Sequence, residues 1–215
     1  MMMARPAAAE GGSDSRERIL RAALEAFSEK GFDGATTREI AAHAGVPLGL
    51  LQYHFGGKPK LWRAAVERAF AELRSGLAAI LADPSPADER QRMQLLIRGH
   101  VQFVARNPEF VRLMHDEGKR RGPRMRWMVD RHVKPLYATL MPLIQRSQEV
   151  GLLPSGIAPI HFIYILAGAV GVIFHQAEEC KRLAGVDPSD PAAAEAHARA
   201  VEHLFLGAPS QEVPQ

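Results

Sequence analysis

Gln52, Tyr53, His54 and Lys58 fall within seven consecutive positions, inside the stretch GVPLGLLQYHFGGKPKLW that spans residues 45–62. Their chemistry is that of recognition. A glutamine amide pairs at two points with an adenine edge, and a tyrosine hydroxyl donates to a phosphate oxygen. Backbone amides after Gly56 and Gly57 open the next helix, whose N-terminus attracts phosphate, and Lys58 adds a mobile positive charge there. Gly49 has no side chain to hold the helix start away from a groove. Arg38, a little upstream, is within reach of a groove edge or backbone. Singly, Tyr53 and His54 also read as half-buried rings, and Lys58 and Lys60 as solvated charges. The joint pattern points to duplex DNA.

Three short helices must position these groups. The first is expected to open at Asp14, with Glu17 at capping-box spacing, and to stop at Gly31 after burying Ile19, Leu20, Ala23, Leu24 and Phe27. The second begins at the TTRE box: Thr36 caps Glu39, Ile40 and Ala41 face inward, and Gly45 ends it. Pro47 then suits the first position of a third helix, because its φ is already helical. At about 100° per residue from Leu51, Phe55 lies at about 40° and Leu48 at about 60°, making the inward stripe. Gly49 at about 160° and Tyr53 at about 200° lie opposite, flanked by Gln52 and Leu50. Two short helices joined by a tight turn make a helix-turn-helix. A long fourth helix from Pro59 to about Ala82 leads away from it.

Composition bounds the rest. The 215 residues are 47% hydrophobic and 24% charged, within the range of a globular chain able to build a core. Net charge is +3 but unevenly spread: residues 90–134 carry 12 basic against 4 acidic side chains, and residues 135–215 carry 4 against 8. Cys180 is the single cysteine, so no intrachain disulfide forms, and the N-terminal MMMARPAAAEGGS has no apolar stretch of a signal peptide. These features predict a cytoplasmic protein.

Beyond the fourth helix, apolar spacing predicts further helices over about 88–106, 108–120, 124–150, 158–183 and 192–206, with no strand. The run IAPIHFIYILAGAVGVIF (157–174) is short for a membrane span and holds Pro159 and His161, so burial between helices is the expectation and no membrane partner is predicted. Phe103, Phe110, Met114, Trp127, Met128, Tyr137 and Tyr164 are candidate walls of a ligand cavity, or plain core. His115, Glu117 and His132 are candidates to orient a ligand there. KRRGPRMR (119–126) reads as a solvated connection or as the flank of an anionic effector's entrance. An enzyme is the rival class. His175 and Cys180 would point about 140° apart on one helix, and His175 with Glu179 makes a metal pair lacking a third ligand. No catalysis, cofactor or metal is expected.

Residues 14–62 resemble the DNA-binding domain of the tetracycline-repressor-like (TetR) family of transcriptional regulators. ILRAALEAFSEKGFDGATTREIAAHAGV and YHFGGKPKLW carry the resemblance, while the remainder fits only in layout. The resemblance implies DNA contacts by Thr37, Arg38, Pro47, Leu48, Gly49, Gln52, Tyr53 and His54, with Lys58 on phosphate. Pro47 stands where the family usually has a capping Ser or Thr, and Leu48 and Leu50 replace polar base-readers, so the implied readout is partly apolar. It also implies that the helix near 157–174 and the last one pair across a two-fold axis. The fold expected is all-α, an N-terminal three-helix helix-turn-helix domain joined by a long helix to a C-terminal helical ligand-binding and dimerisation domain. The boundaries expected are a disordered tail over 1–13, the DNA-binding domain over 14–60, the ligand-binding and dimerisation domain over 61–208, and a tail over 209–215. The function implied is a homodimeric repressor on double-stranded DNA, released from a palindromic operator by a small apolar or amphipathic effector. The alternative is a regulator acting through partner proteins without a ligand.

Overall fold

The computed structural model describes residues 8–207, and within them every regular element is helical. Helix α1 spans Ala8–Gly34 with a break at Gly31, whose φ of 68° ends the regular hydrogen bonding before Phe32. It starts before Asp14, so the tail expected over 1–13 is helical from Ala8, even though Gly11 and Gly12 are weak helix formers. Asp14 is therefore not a cap; it pairs instead with Arg18 at 3.3 Å. Residues 1–7 and the tail over 209–215 lie outside the described residues.

Helices α2 (Thr37–His43) and α3 (Leu48–Phe55) follow. Thr36 caps α2 as its spacing predicts, its Oγ1 accepting from the Glu39 amide at 3.2 Å. The Thr36 hydroxyl and Lys30 hold the Glu39 carboxyl below its ordinary value. Pro47 is the residue before α3 rather than its first turn: ψ is 142°, and only its carbonyl enters the helix, accepting from Leu50 at 3.0 Å. Ile19, Leu20, Leu24, Phe27, Ile40 and Leu51 close the core of these three helices, all at 3% exposure or less. Six such side chains contribute roughly 1.5–3 kcal/mol each on burial, enough to hold two helices of barely two turns.

Helix α4 (Lys58–Ala82) carries Leu61, Trp62, Ala65 and Val66 back into that core and Phe70 into the next. The second layer comprises α5 (Glu89–Arg106), α6 (Pro108–Gly118), α7 (Pro123–Met128), a π-turn (Val129–Val133), α8 (Lys134–Glu149), α9 (Pro159–His175), α10 (Ala177–Ala184) and α11 (Pro191–Leu206). Polar clamps tie it together. Arg98 on α5 grips Glu202 on α11 with two bonds of 2.8 and 2.9 Å, and the buried Ser147 hydroxyl of α8 donates to Glu89 at 3.0 Å.

The helix expected over 158–183 is two helices. The chain turns by 72° at Gln176. His175 and Glu179 thus sit on different helices, and the four-residue spacing that suggested a metal pair does not apply. Among the described residues no single helix is long and apolar enough to cross a membrane. Nor is α9 buried all round: Phe162, Val170 and Phe174 are buried, whereas Ile160, Tyr164, Ile165 and Val172 are exposed.

Candidate nucleic-acid interface and ligand cavity

Helix α3 separates its two faces as the wheel predicts. Leu51 and Phe55 are buried, while Tyr53 is 83% exposed and Gln52 and Gly49 are exposed beside it. A Cβ at Gly49 would meet nothing within 4 Å, so the start of α3 presents bare backbone to solvent. Pro47 and Arg38 are exposed and Thr37 half-buried, on the same side of the turn between α2 and α3. Leu48 is half-buried against the core, leaving part of its side chain outward. His54 lies under Tyr53, ring centroids 5.5 Å apart, and its Nε2 is buried without a partner.

The exit from α3 is built on two glycines. Gly56 closes the helix at φ 67° and Gly57 precedes α4 at φ 150°, both in the region that disfavours any side chain. This bend delivers Lys58 to the first turn of α4. Lys58 is not the mobile charge its sequence context suggests. Its Nζ donates to the Asp33 carbonyl at 3.1 Å and sits 4.8 Å from the centre of the Phe32 ring, because the break at Gly31 folds Phe32 and Asp33 beneath it.

Phe32 also faces the second layer. The Arg124 guanidinium lies 4.1 Å from its ring centre and bonds the buried Glu117 carboxylate at 3.3 Å, and Arg120 lies 3.8 Å from Asp33. Trp62 of α4 packs against Trp127 of α7, ring centroids 5.6 Å apart and planes tilted by 59°, with Arg63 over the latter. Of the KRRGPRMR run, Lys119, Arg121 and Arg126 are exposed as in a solvated connection, while Arg120 and Arg124 join the layers. Glu117 and Trp127, expected at a ligand, belong to this junction.

The cavity lies elsewhere in the second layer. It has a volume of about 730 Å³ and is walled by α4, α5, α6, α8 and α9. Of the expected walls it takes Phe103, Phe110 and Met114. The others fall outside the lining for separate reasons. Met128 is core at 1% exposure, Tyr137 is half-buried outside the lining, and Tyr164 is 70% exposed on the outer face of α9. His115 is exposed, its ring 4.7 Å from His175.

His132 is buried behind the wall in the π-turn, stacked on Phe70 at 4.6 Å, with Nδ1 3.2 Å from Arg74 Nη1. Burial and the charges of Arg74 and Arg131 lower its pKa to about 4. Sequence reading missed His100, which does line the cavity. Its spacing from Ile97, Phe103 and Val104 puts it on the inward stripe of α5, a signal present in the sequence. Among the described residues no three His, Cys, Asp or Glu side chains are grouped to hold a metal ion.

Comparison with known proteins follows this division of the chain. Residues 19–65 match the family described as bacterial regulatory proteins, tetR family, and residues 90–204 match the tetracyclin repressor-like C-terminal domain. The chain is similar to the HTH-type transcriptional repressor NicS of Pseudomonas putida, 28% identical over 163 residues, covering 74% of this chain and 75% of that one. It is similar to the HTH-type transcriptional activator FasR of Mycolicibacterium smegmatis at 31% identity over 48% of this chain and 46% of the relative. The fold matches the fatty acid degradation regulator FadR from Bacillus halodurans with a TM-score of 0.68 at 16% identity, covering 92% and 97% of the two chains.

Proposed function

The chain belongs to the tetR family of bacterial DNA-binding transcriptional regulators, and from that premise we propose that it acts as a homodimeric repressor, released from a palindromic operator by a small apolar or amphipathic effector. Residues 14–60 are the reader and residues 61–208 the receiver and pairing unit, in the cytoplasm, without an enzymatic step. The observation that carries the reading is the outward face of α3, where Gly49, Gln52 and Tyr53 stand exposed above the buried Leu51 and Phe55. Thr37, Arg38, Pro47, Leu48 and His54 complete the DNA surface, and Lys58 reaches a phosphate on leaving Asp33.

The effector occupies the cavity beneath α4, the helix that also carries Trp62 and Lys58. Its arrival tilts α4 and works on the Trp62–Trp127 and Phe32–Arg124 contacts, so the two α3 helices of a dimer no longer match successive major grooves. A tenfold loss of occupancy needs only about 1.4 kcal/mol of differential binding.

Selection of genomic duplex fragments by the purified chain tests this reading. The expected result is a palindrome whose half-sites lie one helical turn, about 34–36 Å, apart, bound by a dimer and weakened by a ligand. A chain that stays monomeric and selects no duplex overturns it.

A further inference from the structure

Of the polar residues around the cavity, Glu72, Ser75, Gln102 and Arg106 are exposed, and His100 alone is not. From this arrangement we infer that the occupant is an uncharged, largely apolar molecule with one hydrogen-bonding oxygen that meets the His100 ring. The inference rests on the reading of this cavity as the effector site.

Phe103, Phe110, Met114, Leu136, Leu140 and Phe162 are among the apolar residues that surround the space. Its volume of about 730 Å³ suits a small organic molecule. Glu72 and Arg106, the two charged residues of the lining, are exposed on α4 and α5 and stay hydrated, away from its apolar walls. Glu72 already accepts from the Asn107 amide at 3.1 Å. A charged group entering such walls gives up its hydration without a counter-charge. His100 supplies none: burial, the sole cause acting on it, lowers its pKa to about 4 and leaves a neutral imidazole at pH 7.

A neutral imidazole both donates and accepts. His100 is half-buried in the lining, and among the described residues no protein group bonds its ring. A hydroxyl or carbonyl oxygen satisfies it. The neighbouring Gly99 leaves room for the Ile80 side chain of α4, since a Cβ there would lie 2.6 Å from Ile80 Cδ1. Leu77 and Ile80 of α4 line the same space as His100.

Equilibrium binding of four fragments to the full chain at pH 7 tests the inference: naphthalene, 2-naphthol, 2-naphthoate and naphthylmethylammonium. The expected order has 2-naphthol about tenfold tighter than naphthalene, the worth of one hydrogen bond of about 1.4 kcal/mol, with both ions weaker than either. His100→Leu should close the gap between naphthol and naphthalene, leaving naphthalene within threefold of its parent affinity, and His100→Gln should retain part of the gap. Naphthoate or the ammonium binding tighter than naphthol overturns the inference, as does a gap that survives His100→Leu; in either case the cavity still stands as a ligand site. Binding of none of the four overturns the cavity reading itself, and the inference with it.

Discussion

At the scale of single residues, the proposed DNA surface divides into groups able to read bases and groups able to hold the backbone. Gln52 is exposed on α3 with an amide able to pair at two points, so Gln52→Ala should relax preference at one base pair by about 1–3 kcal/mol. Tyr53, 83% exposed, offers one hydroxyl to a phosphate, and Tyr53→Phe should weaken binding to all sequences alike. Affinities for an operator and its single-base variants separate the two; a Tyr53→Phe effect confined to one base would reverse their roles. Lys58 is bound to the Asp33 carbonyl in the free chain, so a phosphate must compete with that bond. Lys58→Ala should still flatten the salt dependence by about one unit of log–log slope, because a released counterion is counted only in the complex. An unchanged slope would mean that the lysine stays on Asp33 when DNA is bound.

At the scale of elements, the junction of α1, α4, α6 and α7 is where a change in one layer reaches the other. Arg124→Ala removes the nearest partner of Glu117, whose carboxylate is buried, and leaves Arg120 at 4.0 Å. Loss of about 1–3 kcal/mol is expected in denaturant unfolding, and Glu117→Gln in the same chain should recover most of it. Recovery of nothing would show that Arg124 acts through the Phe32 and Trp62 rings it covers. None of this was legible in the sequence, where KRRGPRMR reads as a connection: the partners Phe32 and Asp33 lie some ninety positions away, and only the break at Gly31 folds them back. By contrast α2, α3 and their faces could be read residue by residue, because caps, Gly punctuation and a helical period are local signals. The cavity fell between these cases. Residue type alone brings Phe103, Phe110 and Met114 to its lining, whereas Trp127 and Tyr164 lie outside it, because type does not say which side of a helix is already covered. The bend at Gln176 carried no proline or glycine to announce it.

At the scale of the whole molecule, two consequences follow from what the fold buries and what it leaves bare. His100 and His132 both have pKa values lowered to about 4, below the ordinary value of about 6.5 in an unfolded chain. Above pH 6.5 the two states bind the same protons and stability is intact. As pH falls from 6.5 toward 4, the unfolded chain takes up protons that the fold refuses, and stability declines by about 1.4 kcal/mol per pH unit for each ring. His132→Phe should remove one ring's share, which unfolding midpoints at pH 7 and pH 5 will measure; an equal decline in parent and variant would mean that His132 titrates normally. What is left bare are Ile160, Tyr164, Ile165 and Val172 on α9 and Ala196, Ala200 and Leu204 on α11, two helices that pack on each other. Tyr164 and Leu204 are 70% and 72% exposed, and monomers rarely leave such contiguous apolar faces uncovered. In the dimer proposed above, a second copy covers these two helices, a two-fold pairing of the kind a palindrome requires. Leu204→Glu should therefore yield a monomer by sedimentation. That monomer should keep its helical content and its affinity for a cavity ligand, but lose at least a hundredfold in affinity for the full operator, since each half-site must then be held alone. A variant that sediments as a dimer and binds at parental strength would move the pairing surface off α9 and α11, and the geometry that relates ligand to operator would have to be drawn through another face.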